Sequence, residues 1–127
     1  MLLNDFYEIT DVMKGGPAHR LRVKLNPSHR IYEGHFTGQP IVPGVCTLQI
    51  IKDCAEKLSG KEYMYSYISS SKFLSLVDPM VNGLIEFNIS LKDTDDNRTS
   101  LSAEGKYQDT DTVFIKVKAT LKEIENE

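Results

Sequence analysis

An imidazole takes up and returns a proton near neutral pH better than any other side chain, and His35 stands between Gly34 and Phe36 in a stretch that breaks the chain's periodicity. From Asn26 to Val45 the sequence reads NPSHRIYEGHFTGQPIVPGV, with three prolines, three glycines and two histidines in twenty residues. A long irregular stretch inside a compact domain is usually functional or mobile, and Pro27, Pro40 and Pro43 stiffen this one. The segment ends at Pro43-Gly44-Val45, where a helix is expected to begin. The unpaired amides and positive dipole end of such a start can hold a partial negative charge such as a thioester or enolate oxygen. From the residues alone, His35 also fits a turn cap or a satisfied core position, and Pro43-Gly44 an ordinary helix entry.

Stepping outward, the spacing predicts one persuasive helix from Gly44 to about Leu58, stopped before Gly60. Cys46, Leu48, Ile50, Ile51, Cys54, Ala55 and Leu58 cover a broad apolar arc, while Gln49, Lys52, Asp53 and Glu56 share the narrow remaining face. So apolar a helix needs to be wrapped. Toward the C-terminus, strict alternation at Ile85–Leu91, Leu101–Tyr107 and Val113–Leu121 predicts three half-buried antiparallel strands, with turns in Lys92–Arg98 and at Gln108–Asp111. Leu21, Val23 and Leu25 alternate with Arg20, Arg22 and Lys24, and Tyr63–Ile68 is a further β-prone run. Phe6–Ile9 adds a short edge strand. The plan is α+β: a curved antiparallel sheet of five to six strands around one long central helix, as a single domain over residues 1–127.

Composition narrows the function. The 127 residues are 40% hydrophobic, 26% charged and 9% aromatic, which suits one globular domain. Fifteen basic against eighteen acidic residues give a net charge of -3, no field to draw nucleic acid. No apolar run approaches a membrane span and the N-terminus lacks a secretory pattern, so a cytoplasmic chain is expected. Cys46 and Cys54 lack partners at metal-ligand spacing and read as reduced core thiols, and no metal or nucleotide cofactor is implied. The acidic turn at Asp93–Asp96 lacks the glycine and distal glutamate of a calcium loop.

The string Gly34-His35-Phe36-x-Gly38-x-Pro40-x-x-Pro43-Gly44-Val45 resembles the signature of the hot-dog-fold 3-hydroxyacyl-acyl-carrier-protein dehydratases, usually GHFPGxPxMPGV. Thr37 replaces a proline and Val42 a methionine. Lys72-Phe73-Leu74-Ser75-Leu76-Val77-Asp78-Pro79 resembles the family's second block, and the likeness runs from about residue 5 to 121. The resemblance implies that His35 removes the C2 proton of a 3-hydroxyacyl thioester and that the Gly44 amide receives its carbonyl oxygen. It also implies that Phe36, Pro43, Val45 and Phe73 line the substrate, carried as acyl-pantetheine on an acyl carrier protein. The family places a carboxylate six residues after the proline, on the partner subunit's helix, to help the 3-hydroxyl leave. Here that position is Gln49, and an amide is no proton donor of useful acidity.

Three outcomes follow: His35 serves as both base and acid, Asp53 one turn on acts as surrogate carboxylate, or the site binds thioesters without dehydrating them. A hot-dog acyl-thioesterase using Asp53, and a non-catalytic binding subunit paired with an active homologue, are the competing functions. His19, on an expected edge strand, and His29 read as surface residues. Tyr63, Tyr65 and Tyr67 alternate and fit either an acyl tunnel or cross-strand packing. Arg20, Arg22 and Lys24 suit either carrier-protein contact or a solvated face. Open sheet edges and the family pattern predict a homodimer or an oligomer of dimers.

Overall fold

The computed structural model describes residues 5–32, 41–94 and 96–124, of which the Ile31 side chain is left aside. Among the described residues, six strands and one helix follow in the order β1 (Tyr7–Met13), β2 (His19–Leu25), α1 (Gly44–Ser59), β3 (Tyr63–Phe73), β4 (Leu84–Asp93), β5 (Arg98–Tyr107) and β6 (Val113–Glu123), with a 3-10 turn at Arg30–Tyr32. All strands join one antiparallel sheet in the order β1-β2-β4-β5-β6-β3, and α1 packs against it. The sheet wraps the helix as expected.

Alternation explains the sheet. Along β5 and β6, Leu101, Ala103, Tyr107, Ile115, Val117, Ala119 and Leu121 are buried, while Ser102, Lys116 and Lys118 face water. Cys46, Ile50, Ile51, Cys54 and Ala55 of α1 meet that apolar side. Leu48 and Leu58, expected in the arc, are only partly buried, and Thr47 is buried instead. Gly105 admits the helix side of the sheet to close packing: a Cβ there would lie 2.8 Å from Ile115, Phe114 and Phe87 side-chain carbons. On the outer face the buried Glu86 is paired with Arg22 at 3.3 Å and Lys106 at 3.5 Å, so its charge is compensated. Arg22 is thus a structural partner as well as a solvated arginine.

Several expectations need correction. His19 begins β2, which lies between β1 and β4, so it is not on an edge strand; its Nδ1 accepts the Gly15 N–H at 3.0 Å. The edge on that side is β1, running on to Met13 through a register shift between Ile9 and Asp11, and β3 is the edge on the other. Strand β3 extends five residues past Ile68, because pairing with β6 carries the polar Ser69–Ser71 run. Register shifts between Tyr65 and Tyr67 break the tyrosine row. Tyr63 is buried, Tyr65 half-buried with its hydroxyl on Leu48 O at 2.6 Å, and Tyr67 is 66% exposed, so the three line no common tunnel. His29 packs edge-on to the Phe6 ring at 5.1 Å, not freely at the surface. Among the described residues, no helix is long and apolar enough to cross a membrane.

Both cysteines are free and buried. Burial, with Asp53 alongside, pushes the Cys54 thiol up to about 12, and burial raises Cys46 as well. Because the thiolate is the reactive form, neither should be alkylated in the native protein at about pH 8. Mass spectrometry after iodoacetamide treatment is expected to show no label until the chain is unfolded. Rapid labelling of the native protein at either position would contradict the packing.

Candidate active site at the start of the central helix

Pro43 brings the chain into α1 in an extended conformation, φ -62° and ψ 142°, with no side-chain cap. Its carbonyl accepts both Cys46 N–H at 3.0 Å and Thr47 N–H at 3.2 Å, which satisfies the third and fourth amides of the helix. Among the described residues, the N–H groups of Gly44 and Val45 meet no acceptor. They are the two that a ligand oxygen could reach, and the positive end of the helix dipole lies behind them. The approach to Pro43 is pinned by Val42 N–H on Val77 O at 2.9 Å, which ties it to the loop after β3.

That loop supplies the wall of the site. Phe73 closes β3, held by Leu74 N–H on Phe114 O at 2.8 Å, and its ring lies so close to Gly44 that a Cβ there would be 3.0 Å from two ring carbons. Only glycine allows this approach without moving the ring. Phe73 is nonetheless 51% exposed, and Val45, Leu74, Leu76, Met80 and Val81 are exposed too. Exposed apolar side chains gathered in one short stretch of chain offer a surface on which something apolar could dock. The structure therefore brings Pro43, Gly44, Val45 and Phe73 together. His35 and Phe36 lie outside the described residues.

The remaining expected residues form a second group, bonded to one another along the polar face of α1. Gln49 Nε2 donates to Asp53 Oδ1 at 2.8 Å, and Lys52 Nζ stands 3.8 Å from the same oxygen. Lys52 also reaches Glu56 at 3.3 Å, whose Oε2 accepts the Tyr63 N–H at 2.7 Å. Nothing local to either segment marks the other partner: Tyr7 on β1 donates its hydroxyl to Asp53 Oδ2 at 2.7 Å across a separation of 46 residues. Burial, followed by the Asp53 hydrogen bond, raises the Tyr7 pKa well above the usual tyrosine range, so it remains a proton-bearing donor. Both Asp53 oxygens are thus occupied by donors. Tyr32, which ends the 3-10 turn just before residues 33–40, is a further residue that sequence reasoning passed over. Its hydroxyl is the one buried side-chain polar atom lacking a partner among the described residues, and burial holds it protonated.

Comparison with known proteins agrees with this architecture. A 3-hydroxyacyl-(acyl-carrier-protein) dehydratase FabZ from Lactobacillus helveticus is 24% identical over 111 residues, covering 82% of this chain and 74% of that protein. Among solved structures, the dehydratase heterocomplex ApeI:P from Xenorhabdus doucetiae superposes with a TM-score of 0.68 at 21% identity, over 90% of this chain and 96% of that one. A putative thioesterase from Lactococcus lactis reaches 0.64 at 11% identity, over 100% and 98%. The structural likenesses establish the hot-dog fold. The family model described as ApeI-like, ApeI dehydratase, matches residues 12–113, and the chain belongs to that family.

Proposed function

We propose that this chain dehydrates a 3-hydroxyacyl thioester, carried by the pantetheine arm of an acyl carrier protein, to the trans-2-enoyl thioester. The observation that carries this reading is the pair of amides at Gly44 and Val45 that meet no acceptor among the described residues, with the Phe73 ring close against Gly44, in a chain of a dehydratase family. The thioester carbonyl oxygen sits at the Gly44 N–H, where charge develops as C2 is deprotonated. Phe73 and Val45 shield the acyl chain, and Pro43 sets the helix entry. His35 takes the C2 proton, the electron pair forms the C2–C3 double bond, and the C3–O bond breaks as the imidazolium returns that proton to the departing oxygen. One water leaves, and the histidine ends as it began.

The geometry favours this one-histidine sequence over a surrogate carboxylate. Asp53 already accepts Tyr7 on one oxygen and Gln49 on the other, so it is committed to the helix face. No observation here favours hydrolysis, since the thioesterase likeness is one of fold. The active form is a cytoplasmic homodimer, or an oligomer of dimers. The open edges of β1 and β3 and the exposed apolar side chains from Phe73 to Val81 support assembly.

Purified protein mixed with 3-hydroxyacyl or with enoyl carrier-protein thioester should interconvert the two, read as loss or gain of water by mass spectrometry. His35→Ala should lower the rate by about 10²- to 10⁴-fold. Absence of interconversion in both directions, or an unaffected His35→Ala, removes this reading. Gly44→Ala forces a methyl group onto the Phe73 ring and should lower kcat/KM by about 10- to 100-fold with little change in Tm. Full activity in that variant would show that substrate does not use this wall.

A further inference from the structure

Antiparallel strands set directly opposed side chains about 5 Å apart, so a stable sheet face puts cations against carboxylates or keeps like charges apart. The face turned away from α1 follows that rule at one end only. On β2, Arg22 is paired with Glu86 at 3.3 Å and stands opposite Asp11 of β1, while Lys24 stands opposite Glu8. On β6 the outward row is Lys116, Lys118 and Lys122, all exposed, and β3 beside it presents Lys72, Tyr67 and Met64. The register sets Lys72 directly against Lys116, and Lys122 against Arg98 of β5. Like charges so opposed cost the sheet stability. Glu104, opposite Lys116, is the one carboxylate that the register brings against the four lysines, and among the described residues none of the four has a carboxylate within ion-pair distance. Lys72, Lys116 and Lys118 also border an open trough of about 590 Å³, lined in part by Ser70 and Ser102, whose short side chains leave room between the ammonium groups. The chain as a whole has a net charge of -3, so this excess is local and the rest of the surface carries the opposite sign.

We propose that the outer face of β3 and β6 docks on an anionic lipid bilayer, with the four lysines meeting headgroup phosphates and Tyr67 and Met64 entering the headgroup layer. The inference goes beyond the dehydratase reading and does not rest on it. The residue types select lipid over a folded acidic protein. A lysine is a hydrated point charge on a flexible stem, suited to a diffuse layer of phosphates, whereas fixed carboxylates are met best by the arginine fork, and lysine is depleted at protein interfaces. Tyr67 is 66% exposed and Met64 50%, an amphipathic ring and a pliant thioether on the same side as the cations, as on surfaces that lie in a membrane interface. Nucleic acid fits less well, because the single ring of Tyr67 beside the lysines makes no platform for stacking successive bases. The opposite charge on the remaining surface is repelled by the same membrane, which fixes one orientation.

Flotation of the full chain with vesicles of phosphatidylcholine and phosphatidylglycerol in equal parts, and with vesicles of phosphatidylcholine alone, tests this at about 0.1 M salt. The protein should float with the anionic vesicles only, and less of it as salt is raised. Lys116→Gln and Lys118→Gln should each lower the partition coefficient by about fivefold. Lys57→Gln, at an exposed position in the last turn of α1, changes the net charge equally and should leave partitioning as it was. Lys116→Gln also relieves the opposition to Lys72, so that variant should fold at least as stably as the parent. Tyr67→Trp gives the chain its only tryptophan, whose emission should shift to the blue with anionic vesicles. Equal binding to both kinds of vesicle, equal effects of Lys118→Gln and Lys57→Gln, or an emission unmoved by vesicles that are bound overturns the proposal. Absence of vesicle binding overturns it too, and if Lys118→Gln then weakens binding of an acyl carrier protein or of single-stranded RNA, the face belongs to that partner and not to lipid.

Discussion

A helix that enters the interior of a sheet must find partners for its first amides, and among the described residues those of Gly44 and Val45 meet none. Pro43 contributes no N–H of its own, and its carbonyl is already spent on Cys46 and Thr47. The N–H groups of Gly44 and Val45 thus get no bond from Pro43, and the positive end of the helix dipole lies behind them. An uncapped helix start is a standing cost unless a solvent or substrate oxygen meets it. The exposed ring of Phe73 gives the apolar half of the arrangement, and a Cβ at position 44 would stand 3.0 Å from two of its carbons.

The rest of the fold serves to keep that mouth in place. Burial of Ile50, Ile51, Cys54 and Ala55 against the sheet fixes the helix in depth, but an apolar arc so broad leaves its rotation loosely specified. The polar seam supplies what the arc does not. Tyr7 ties Asp53 to β1, and Glu56 ties the last turn to the backbone of β3 through Tyr63, with Lys52 between the two carboxyls. Both attachments lie on edge strands, at opposite ends of the sheet order. The helix is thus gripped from the two sides of its wrapping, and Gln49 sits within that grip.

Much of this was legible in the amino-acid order. Strands β4, β5 and β6 announced themselves because each has one wet and one dry face, and α1 because Pro43-Gly44 and Gly60 punctuate an apolar run. The meeting of Gly44 and Phe73 followed from a family resemblance, not from spacing. What could not be read depends on distant pairing. Nothing local marks Ser69–Ser71 as strand, since it is the β6 partner that holds it there. Nothing near His19 tells that β4, more than sixty residues on, covers its strand. The bulges that turn Tyr65 and Tyr67 out of line are likewise properties of the pairing. Tyr7 and Asp53 are the sharpest case: a hydroxyl and a carboxyl 46 residues apart, each unremarkable in its own segment.

A thioester carbonyl seated at the Gly44 and Val45 amides would be polarised by them. Isotope-edited infrared spectroscopy of a carbon-13 thioester carbonyl, bound to His35→Ala protein so that it is not consumed, reads that polarisation directly. The carbonyl stretch should move to lower frequency on binding, as it does when a C=O accepts strong hydrogen bonds. A bound carbonyl that vibrates at the frequency of the free thioester in an apolar solvent would contradict it.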